Sequence, residues 1–463
     1  MRARTDFDQF DQFILTNLRE TRLPSVTAGL IEDGKLVHSV AYGFRDIASA
    51  AQASTNTLYG VGSVTKSFTA LSIAKLVEEG KLDFHDRITD YLPLRQKAFQ
   101  DVEIHHLLTH TTGIPGLGFA EALIFRAIGQ CSHPLPVLSV SDIGSYLDEV
   151  DSWVEAKPGE KMFYLNEGYY LLEELISKVT GRPYARYVTD EILRPLGMNR
   201  SYFSREQIER DKEAATPYVV RGEKVTTSVY PYGGEAAGGL VTNVIDLANF
   251  VTMLSGRGEF AGKRLIGEDT LEKMETPYTS WPRATFPGQG YGYGLEIIPD
   301  FYGHKVAGHG GSVEVFTASF LYAPRRGYGV VVMANGTGYS MERIGLYGMA
   351  LLTGKNPEDL PMIKLENALK RVEGKYAAYK NVVLAEAKRN GSFLTLSGDD
   401  IGENIVLVPD RVDNEVATFF TLAGTAKMAV EFRFSGDGVE MIYERYKYRK
   451  TGPPILEERR ELR

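Results

Sequence analysis

The sequence has one cysteine, no excess of positive charge and no long apolar run, and each of these absences excludes a class of protein. Cys131, the single cysteine in 463 residues, can form neither an internal disulfide nor a cysteine cluster for a metal. The net charge of −8 argues against nucleic acid or an acidic membrane surface as the main partner. No apolar segment is long enough to cross a bilayer. We therefore expect neither a nucleic-acid partner nor a membrane partner.

The first residues also lack the apolar core of a secretory signal peptide. Segment 1–9 carries arginine and aspartate side chains where such a core would lie, which predicts a cytoplasmic protein. With 43% hydrophobic and 24% charged residues, the composition is that of a globular chain. Its length is too great for one ordinary domain and predicts two.

Strand and helix signals alternate over the first three quarters of the chain. Apolar spacing predicts helices over about 63–80 and about 169–180, the second ending at Gly181. The strand signals lie near the two ends of this part, in a hairpin at 25–43 and in runs at 305–312, 316–322 and 329–333. This arrangement predicts an α+β domain, in which an antiparallel sheet is flanked by helices and joined by a helical region.

A linker and a change of pattern mark a second domain. Residues 353–365 contain one glycine and two prolines, which is typical of a linker. Beyond them, short apolar runs alternate with turn signals such as Asn390-Gly391, the spacing of an antiparallel β domain, here a small up-and-down barrel. We therefore predict domains over residues 1–365 and 366–463.

The motif Ser63-x-x-Lys66 is the strongest functional signal in the sequence. A serine at the start of a helix and a lysine three residues later share one helix face, so the amine can take the hydroxyl proton. The positive end of the helix favours the negative charge that then develops. Serine is also a common helix N-cap, so the motif alone leaves both interpretations open. The same spacing recurs at Ser72-x-x-Lys75 inside the predicted helix, where we expect a structural role.

Two later motifs supply the other groups that such a site needs. Tyr164-x-Asn166 precedes the second helix; a tyrosine beside a lysine can hold a depressed pKa and move protons. The asparagine amide can hydrogen-bond both the lysine and a substrate carbonyl. In His309-x-Gly311-Ser312, glycine lets substrate backbone lie close to a strand, and the next amide can donate to an oxyanion. Taken singly, each motif is more often a structural feature, either a buried aromatic beside a helix cap or a glycine-rich strand end.

Similar patterns elsewhere are interpreted as structural. Residues 379–381 repeat the Tyr-x-Asn pattern in the β-rich segment and are assigned to strand and turn. Residues 450–452 match a common form of the third motif, but Pro453 follows them and has no N–H to donate. Residues 256–263 are glycine-rich without the spacing of a phosphate-binding loop, which favours a surface turn.

In this order, the three motifs resemble those of the serine β-lactamase and penicillin-binding-protein superfamily. The branch they resemble most holds D-alanyl-D-alanine carboxypeptidases, D-aminopeptidases, class C β-lactamases and related esterases. The flanking residues 107–114, 168–172 and 237–240 fit as well, and the resemblance covers about residues 10–350. The C-terminal segment is similar to the lipocalin-like barrels fused to some D-aminopeptidases and archaeal relatives.

The resemblance implies a role for each motif residue and no metal or organic cofactor. Ser63 becomes acylated, while Lys66 and Tyr164 share the proton transfers; which of the two is the acylation base is disputed across the superfamily. Asn166 positions the lysine and the substrate, and the backbone N–H groups of Ser63 and Ser312 form the oxyanion hole. The implied site comprises the catalytic residues Ser63, Lys66 and Tyr164 and the substrate-binding and oxyanion residues Asn166, His309, Gly311 and Ser312.

His309 bears on the choice among the activities of this branch. It stands where class C β-lactamases have a lysine, so a permanent charge is replaced by a group that we expect to titrate near neutrality. The same histidine form occurs in carboxypeptidases and D-aminopeptidases, and the missing signal peptide is unlike a peptidoglycan enzyme. We therefore predict a peptidase acting on short peptides, including those with D-amino acids. The alternative is an esterase or a β-lactamase that uses the same site. A third hypothesis is a binding protein without catalytic activity, but the three intact motifs argue against it.

The remaining predictions concern the surroundings of the site. His105, His106 and His110 lie in a stretch that is structural in the superfamily, and we expect the same role here. The apolar stretch 117–138 and the aromatic loop 278–293 are candidate pocket walls. Three roles are open for the barrel: binding a ligand, capping the active site or forming a subunit interface of a homo-oligomer. We expect an interface or a cap, because the interior of a small barrel is usually filled by side chains.

Overall fold

The computed structural model describes residues 4–130, 142–222, 224–399 and 401–453. Their contacts divide the chain into two compact units, Met1–Lys355 and Asn356–Arg463. The division falls inside 353–365, the segment whose composition predicts a linker. The prolines of that segment begin a short 3-10 turn, Pro357–Asp359, and a helix at Pro361 in the second unit.

The first unit combines helices with one large sheet. Its helices are α1 (Arg4–Thr21), α2 (Thr65–Glu78), α3 (Ile104–Leu108), α4 (Phe119–Ala127), α5 (Ile143–Tyr146), α6 (Asn166–Thr180), α7 (Tyr184–Val188), α8 (Arg205–Arg210), α9 (Glu235–Gly238), α10 (Val244–Ser255), α11 (Glu268–Met274) and α12 (Met341–Leu352). Its strands are β1 (Ser25–Glu32), β2 (Lys35–Asp46), β3 (Ala51–Gln52), β4 (Tyr59–Gly60), β5 (Tyr218–Arg221), β6 (Lys224–Thr227), β7 (Val241–Thr242), β8 (Glu259–Phe260), β9 (Lys263–Arg264), β10 (Thr279–Ser280), β11 (Gly290–Tyr291), β12 (Glu296–Phe301), β13 (His304–Ser312), β14 (Thr317–Ala323) and β15 (Tyr328–Ala334).

The large sheet is antiparallel and is assembled from both ends of the unit, as predicted. Within the described residues it has nine strands in the order β10-β11-β12-β13-β14-β15-β1-β2-β3. The N-terminal strand β1 pairs with the late strand β15, with Val26 opposite Ala334. Strand β1 is buried along nearly its whole length because helices cover both faces of the sheet. Helix α10 packs close to Gly29, and helix α12 brings Gly348 against Leu30.

The predicted hairpin and strand runs of this unit are confirmed. Strands β1 and β2 pair around Asp33 and Gly34, both with positive φ, which is the backbone of the tight turns that join antiparallel strands. The three late runs correspond to β13, β14 and β15, which are adjacent and antiparallel. The glycine-rich segment 256–263 leads into the short hairpin β8–β9.

Helices α2 and α6 carry the first two motifs, and their starts differ slightly from the prediction. A single 3-10 turn, Gly62–Val64, runs directly into α2, so Ser63 lies in the turn that precedes the helix. Helix α6 begins three residues before the predicted start, at Asn166, because the chain is extended only as far as Leu165. Its end at Gly181 is confirmed: that residue has φ +67°, the left-handed conformation of a glycine helix stop.

The second unit contains helix α13 (Pro361–Val372) and a closed antiparallel barrel, which confirms the predicted all-β fold. Its strands are β16 (Gly374–Ala377), β17 (Leu384–Asn390), β18 (Phe393–Gly398), β19 (Gly402–Val412), β20 (Val416–Ala423), β21 (Ala426–Ser435), β22 (Gly438–Tyr443) and β23 (Tyr446–Gly452). Each strand pairs with the next one, and β16 closes the barrel against β23. Apolar side chains such as Leu396, Phe419, Phe432 and Met441 are fully buried in its core. Residues 379–381 form a 3-10 turn, and residues 450–452 end β23.

Candidate active site

Ser63 and Lys66 meet at the start of α2. The Lys66 Nζ lies 3.1 Å from Ser63 Oγ, 2.8 Å from Asn166 Oδ1 and 2.7 Å from the carbonyl oxygen of Ala237. These three acceptors match the three protons of an ammonium group. The lysine of the first motif and the asparagine of the second are therefore in direct contact, although they are distant in sequence. The Ala237 carbonyl, on α9, is a partner that the motifs did not predict.

Burial controls the protonation of Lys66. The side chain is completely buried, and desolvation lowers its pKa from 10.5 to about 7, while the carboxylates of Glu121 and Glu167 act in the opposite direction. Near pH 7 both protonation states are therefore populated. A neutral amine 3.1 Å from the Ser63 hydroxyl can accept its proton, which an ammonium cannot do.

Tyr164 lies beside this pair, but it is not ionised. The Lys66 Nζ is 4.9 Å from the centre of the Tyr164 ring, and the ring packs 4.1 Å from that of His110. Burial raises the pKa of the phenol well above 10, and its hydrogen bond with Ser63 offsets only part of this effect. The prediction that the tyrosine pKa is depressed is wrong, because desolvation penalises the phenolate more than neighbouring groups stabilise it.

Strand β13 brings the third motif against the Ser63 turn. A Cβ on Gly311 would collide with the Val61 carbonyl and lie 2.8 Å from Ser63 N, and a Cβ on Gly62 would lie 2.7 Å from Ser312 N. Only glycine fits at either position, so both segments need glycine in order to approach so closely. The contact brings the backbone of Ser63 close to that of Ser312. The N–H groups of these two residues are the predicted oxyanion donors.

His309 is buried and neutral. Desolvation, and then the charge of Lys66, lower its pKa from 6.5 to about 3. The Gly310 carbonyl can only accept, so His309 Nδ1 donates to it at 2.5 Å and Nε2 accepts from the Tyr291 hydroxyl at 2.8 Å. The expectation that His309 titrates near neutrality is wrong, because burial removes this histidine from water and the nearby charge of Lys66 opposes its protonation.

The motif residues open into a cavity of about 740 Å³ in the first unit. This volume lies within the range of about 300–1,000 Å³ that is typical of small-molecule sites. Helix α4 and the loop after β10 both contribute to its wall, as predicted for stretches 117–138 and 278–293. The part of 117–138 beyond residue 130 lies outside the described residues. The contributing side chains include Ala120, Glu121, Ile124, Trp281 and Arg283.

Two carboxyl groups in this wall were not predicted. Glu296 begins β12 and Glu342 lies in the first turn of α12, so no motif connects them in the sequence. Burial raises the pKa of both, and the charge of Glu342 raises the pKa of Glu296 further. The backbone N–H of Gly310 donates to Glu296 Oε1 at 3.5 Å. A protonated carboxyl group is therefore expected beside the third motif near neutral pH.

His110 has a positioning contact with the second motif. Its Nδ1 accepts the Leu165 N–H at 3.0 Å, and its ring lies against Tyr164. The other two histidines of this stretch bond elsewhere: His105 with the Tyr293 hydroxyl, and His106 with the Glu103 N–H. Among the described residues, no group of three or more His, Cys, Asp or Glu side chains is arranged to hold a metal ion. In the same part of the chain, we find no helix with the length and apolarity needed to span a membrane.

Two family models cover most of the chain. The Beta-lactamase family matches residues 7–353, and the Pab87 octamerisation domain matches residues 357–449. Among curated relatives, Protein flp of Staphylococcus aureus (strain MW2) is 27% identical over 334 residues, or 71% of this chain and 62% of that protein. The chain therefore spans less than two thirds of the length of this relative.

Solved structures agree with these matches. The octameric penicillin-binding protein homologue from Pyrococcus abyssi is 40% identical, with a TM-score of 0.90, and the alignment covers 96% of this chain and 99% of that one. A D-stereospecific amidohydrolase from Streptomyces sp. is 22% identical, with a TM-score of 0.62 over 76% of this chain and 100% of that one, a likeness of fold. The predicted superfamily and the predicted two-domain fold class are confirmed. The chain belongs to the Beta-lactamase family.

Proposed function

We propose that the protein is a serine peptidase that cleaves amide bonds of short peptides, including peptides with D-amino acids, through an acyl-enzyme. The observation that carries this proposal is the contact of 3.1 Å between Ser63 Oγ and a buried lysine whose pKa is about 7. A serine hydroxyl beside an amine that is partly neutral at working pH is an activated nucleophile.

In the proposed acylation, neutral Lys66 removes the proton from Ser63 Oγ as the oxygen attacks the substrate carbonyl carbon. The new bond joins Oγ to carbon, and the carbonyl oxygen takes up the negative charge. The backbone N–H groups of Ser63 and Ser312 donate to that oxygen. The carbon–nitrogen bond then breaks, and the leaving amine takes a proton from the Tyr164 hydroxyl, which is replenished from Lys66. A phenol kept in its protonated form by burial suits this donor role.

In the proposed deacylation, water attacks the acyl carbon and gives one proton to Lys66. The bond between carbon and Ser63 Oγ breaks, the oxygen regains a proton from Lys66, and the product leaves as a carboxylic acid. The same lysine thus acts as base in each half of the reaction, and the serine is restored.

The neutral His309 supports a peptide substrate over a β-lactam. A β-lactam antibiotic carries a carboxylate, and a histidine with a pKa of about 3 offers it no charge near neutral pH. The fold that this chain shares with a D-stereospecific amidohydrolase is the reason to include D-peptides among the substrates tested.

The test compares four substrate classes on the purified full chain: D-peptide amides, L-peptide amides, short acyl esters and a chromogenic cephalosporin. We expect hydrolysis of peptide amides that disappears in Ser63→Ala and persists in Ser72→Ala. Negligible peptide hydrolysis beside rapid ester or cephalosporin hydrolysis would replace the peptidase with the esterase or β-lactamase alternative. Activity that survives in Ser63→Ala would remove the proposed mechanism altogether.

We further propose that the chain forms a homo-oligomer through its second unit. The match of residues 357–449 to an octamerisation domain, and the octameric state in the name of the Pyrococcus abyssi homologue, support this proposal. The barrel exposes Tyr379, Val382 and Leu384, with exposed fractions of 81%, 76% and 51%. Apolar side chains grouped at a surface in this way are typical of interfaces.

Native mass spectrometry measures this assembly. We expect a multiple of the chain mass for the wild type and a smaller species for Val382→Asp, because the new charge would have to be buried at the interface. The control is Asp437→Lys, a charge change in an exposed polar turn of the same barrel, which should keep the wild-type mass. A monomeric wild type at micromolar concentration would contradict the proposal.

A further inference from the structure

We propose that Glu121 is a positioning residue that holds the Asn166 side-chain amide in the orientation that leaves Lys66 free to activate Ser63. The inference rests on the proposed function, and it assigns a role to a residue outside the three motifs. A continuous chain of hydrogen bonds carries it. Glu121 Oε1 accepts from Asn166 Nδ2 at 3.2 Å, and Asn166 Oδ1 accepts from Lys66 Nζ at 2.8 Å.

The orientation of the Asn166 amide matters because its two ends have opposite hydrogen-bonding properties. The oxygen only accepts, whereas the nitrogen only donates. When Lys66 is an ammonium, it donates to Oδ1 and thereby selects the observed orientation by itself. When Lys66 is neutral, its lone pair can also accept from a reversed amide, whose N–H would then face the lysine. That contact would occupy the lone pair that must take the proton of Ser63.

Glu121 opposes the reversed orientation in the reactive state. A carboxylate can only accept, so the reversed amide would place its oxygen against the Glu121 oxygen and lose the hydrogen bond. Asn166 Nδ2 carries two protons, and one of them is donated in the hydrogen bond to Glu121. The second proton stays available for a substrate carbonyl, as predicted for this motif. Glu121 therefore selects one orientation of the amide without displacing its substrate contact.

A second contact holds the start of α4, the helix that carries Glu121. The Phe119 N–H, at the start of α4, donates to Glu167 Oε1 at 2.7 Å. Glu167 follows Asn166 in the first turn of α6 and is almost completely buried. Adjacent residues of α6 thus hold two points on α4, Phe119 through Glu167 and Glu121 through Asn166. This double contact fixes α4 relative to α6 beside the reacting groups.

The charge of Glu121 has an effect of its own on Lys66. After desolvation, it is the largest influence on the pKa of Lys66, and it raises that pKa. The other ionisable groups that face the lysine are Glu167 on α6, which also raises the lysine pKa, the uncharged phenols of Tyr164 and Tyr169, and the neutral imidazoles of His110 and His309. Removing the Glu121 charge should therefore lower the pKa of Lys66. Loss of orientation and loss of charge can be measured separately.

The experiment compares pH profiles of kcat/KM for wild type, Glu121→Gln and Glu121→Ala. Both variants lose the charge, so the limb that reports Lys66 should move to lower pH by a similar amount in each. Glutamine keeps an acceptor oxygen, but its amide can pair with either orientation of Asn166, so the plateau value of kcat/KM should fall about threefold in Glu121→Gln. In Glu121→Ala it should fall about tenfold, mainly through kcat. If Glu121 were only structural, its variants would lose plateau kcat/KM in proportion to their loss of thermal stability, and the pH of the Lys66 limb would not change.

Two controls separate this inference from its alternatives. Glu174→Gln removes one charge from the exposed side of α6 and should change neither the limb nor the plateau. Titration of the Lys66 side chain by NMR with labelled lysine needs no turnover, so the charge effect can be tested even if no peptide is cleaved. An unchanged Lys66 titration in Glu121→Gln, or equal plateaus for wild type and Glu121→Ala in an active enzyme, would overturn the proposal.

Discussion

The Ser-x-x-Lys spacing occurs twice along helix α2 and the 3-10 turn that precedes it, and only one copy is part of a site. Ser72-x-x-Lys75 follows Ser63-x-x-Lys66 by nine residues, which is about two and a half turns of an α-helix. The two copies therefore face opposite sides. The same residue types at the same spacing thus meet entirely different surroundings.

The second copy satisfies its polar groups within the scaffold. Ser72 Oγ donates to the Phe68 carbonyl at 2.8 Å, the local bond that serine commonly makes inside a helix. Lys75 Nζ donates to the Leu265 carbonyl at 3.2 Å, a backbone group that has no proton to give up. Ser72 lies inside the helix, away from its N-terminus, and its hydroxyl bonds the helix backbone, so it is a structural group.

The first copy differs through its position at the beginning of the helix. Ser63 lies in the 3-10 turn before α2, where backbone N–H groups lack intrahelical acceptors. Three other segments converge on that point: α6 with Asn166, α9 with the Ala237 carbonyl and β13 with the third motif. The comparison teaches that a reactive serine needs a helix start and partners from distant segments, and that spacing alone is insufficient.

The largest expected difference between the two copies concerns the serines. Ser63→Ala should lower kcat/KM by a factor of about 10⁴ or more, as removal of a nucleophile does in other serine hydrolases. Ser72→Ala should leave kcat/KM within about twofold and change the free energy of unfolding by less than about 1 kcal/mol. Steady-state kinetics and urea unfolding on both variants measure this. Equal losses in the two variants would contradict the comparison.

The lysines should differ by a smaller factor. Lys66→Met removes the proposed base and should lower kcat/KM by about 10³, within the range of general acid–base catalysis. Lys75→Met keeps the apolar stem and should leave kcat/KM unchanged. If Lys66→Met retained more than a tenth of the activity, another group would have to act as the base.

Two tyrosine rings lie near Lys66, and only one of them has a proposed catalytic role. The Lys66 Nζ lies 4.9 Å from the Tyr164 ring centre and 5.4 Å from that of Tyr169, whose hydroxyl donates to the Leu108 carbonyl. Tyr164→Phe should lower kcat by about 10², because the proposed proton donor to the leaving group is lost. Tyr169→Phe should leave kcat within about threefold. Equal effects would assign both tyrosines to packing.

The smallest effect is a pH dependence with a defined sign. Since the pKa of Lys66 is lowered to about 7, its neutral form grows as pH rises, and kcat/KM should rise through pH 7 to a plateau. His309, with a pKa of about 3, should contribute no limb near its ordinary value of 6.5. The profile of His309→Gln should therefore keep the limb near pH 7. Disappearance of that limb in His309→Gln would assign it to the histidine.

Local signals predicted the parts of the fold and site that short segments determine by themselves. The turn at Asp33-Gly34 and the helix stop at Gly181 follow from backbone conformations that few residues adopt. The turn signal at Asn390-Gly391 likewise falls between strands β17 and β18 of the barrel.

The electrostatic properties of the site could not be predicted from the motifs. The pKa of Tyr164 was expected to be lowered by the neighbouring lysine, and the pKa of His309 was expected to lie near neutrality, yet desolvation dominates both. Ala237 and Glu121 lie in segments that the sequence analysis singled out, but nothing there predicted that the Ala237 carbonyl would bind Lys66 or that Glu121 would bind Asn166. What the motifs did predict is the order of the reacting groups along the chain.

The most direct test of the central claim is to locate a covalent adduct by mass spectrometry. The full chain is treated with a serine-reactive fluorophosphonate, digested and mapped, alongside Ser63→Ala and Ser72→Ala. The account predicts one adduct per chain on the peptide that contains Ser63, present in Ser72→Ala and absent in Ser63→Ala. An adduct on Ser72 or any other residue, or labelling that persists in Ser63→Ala, would contradict it.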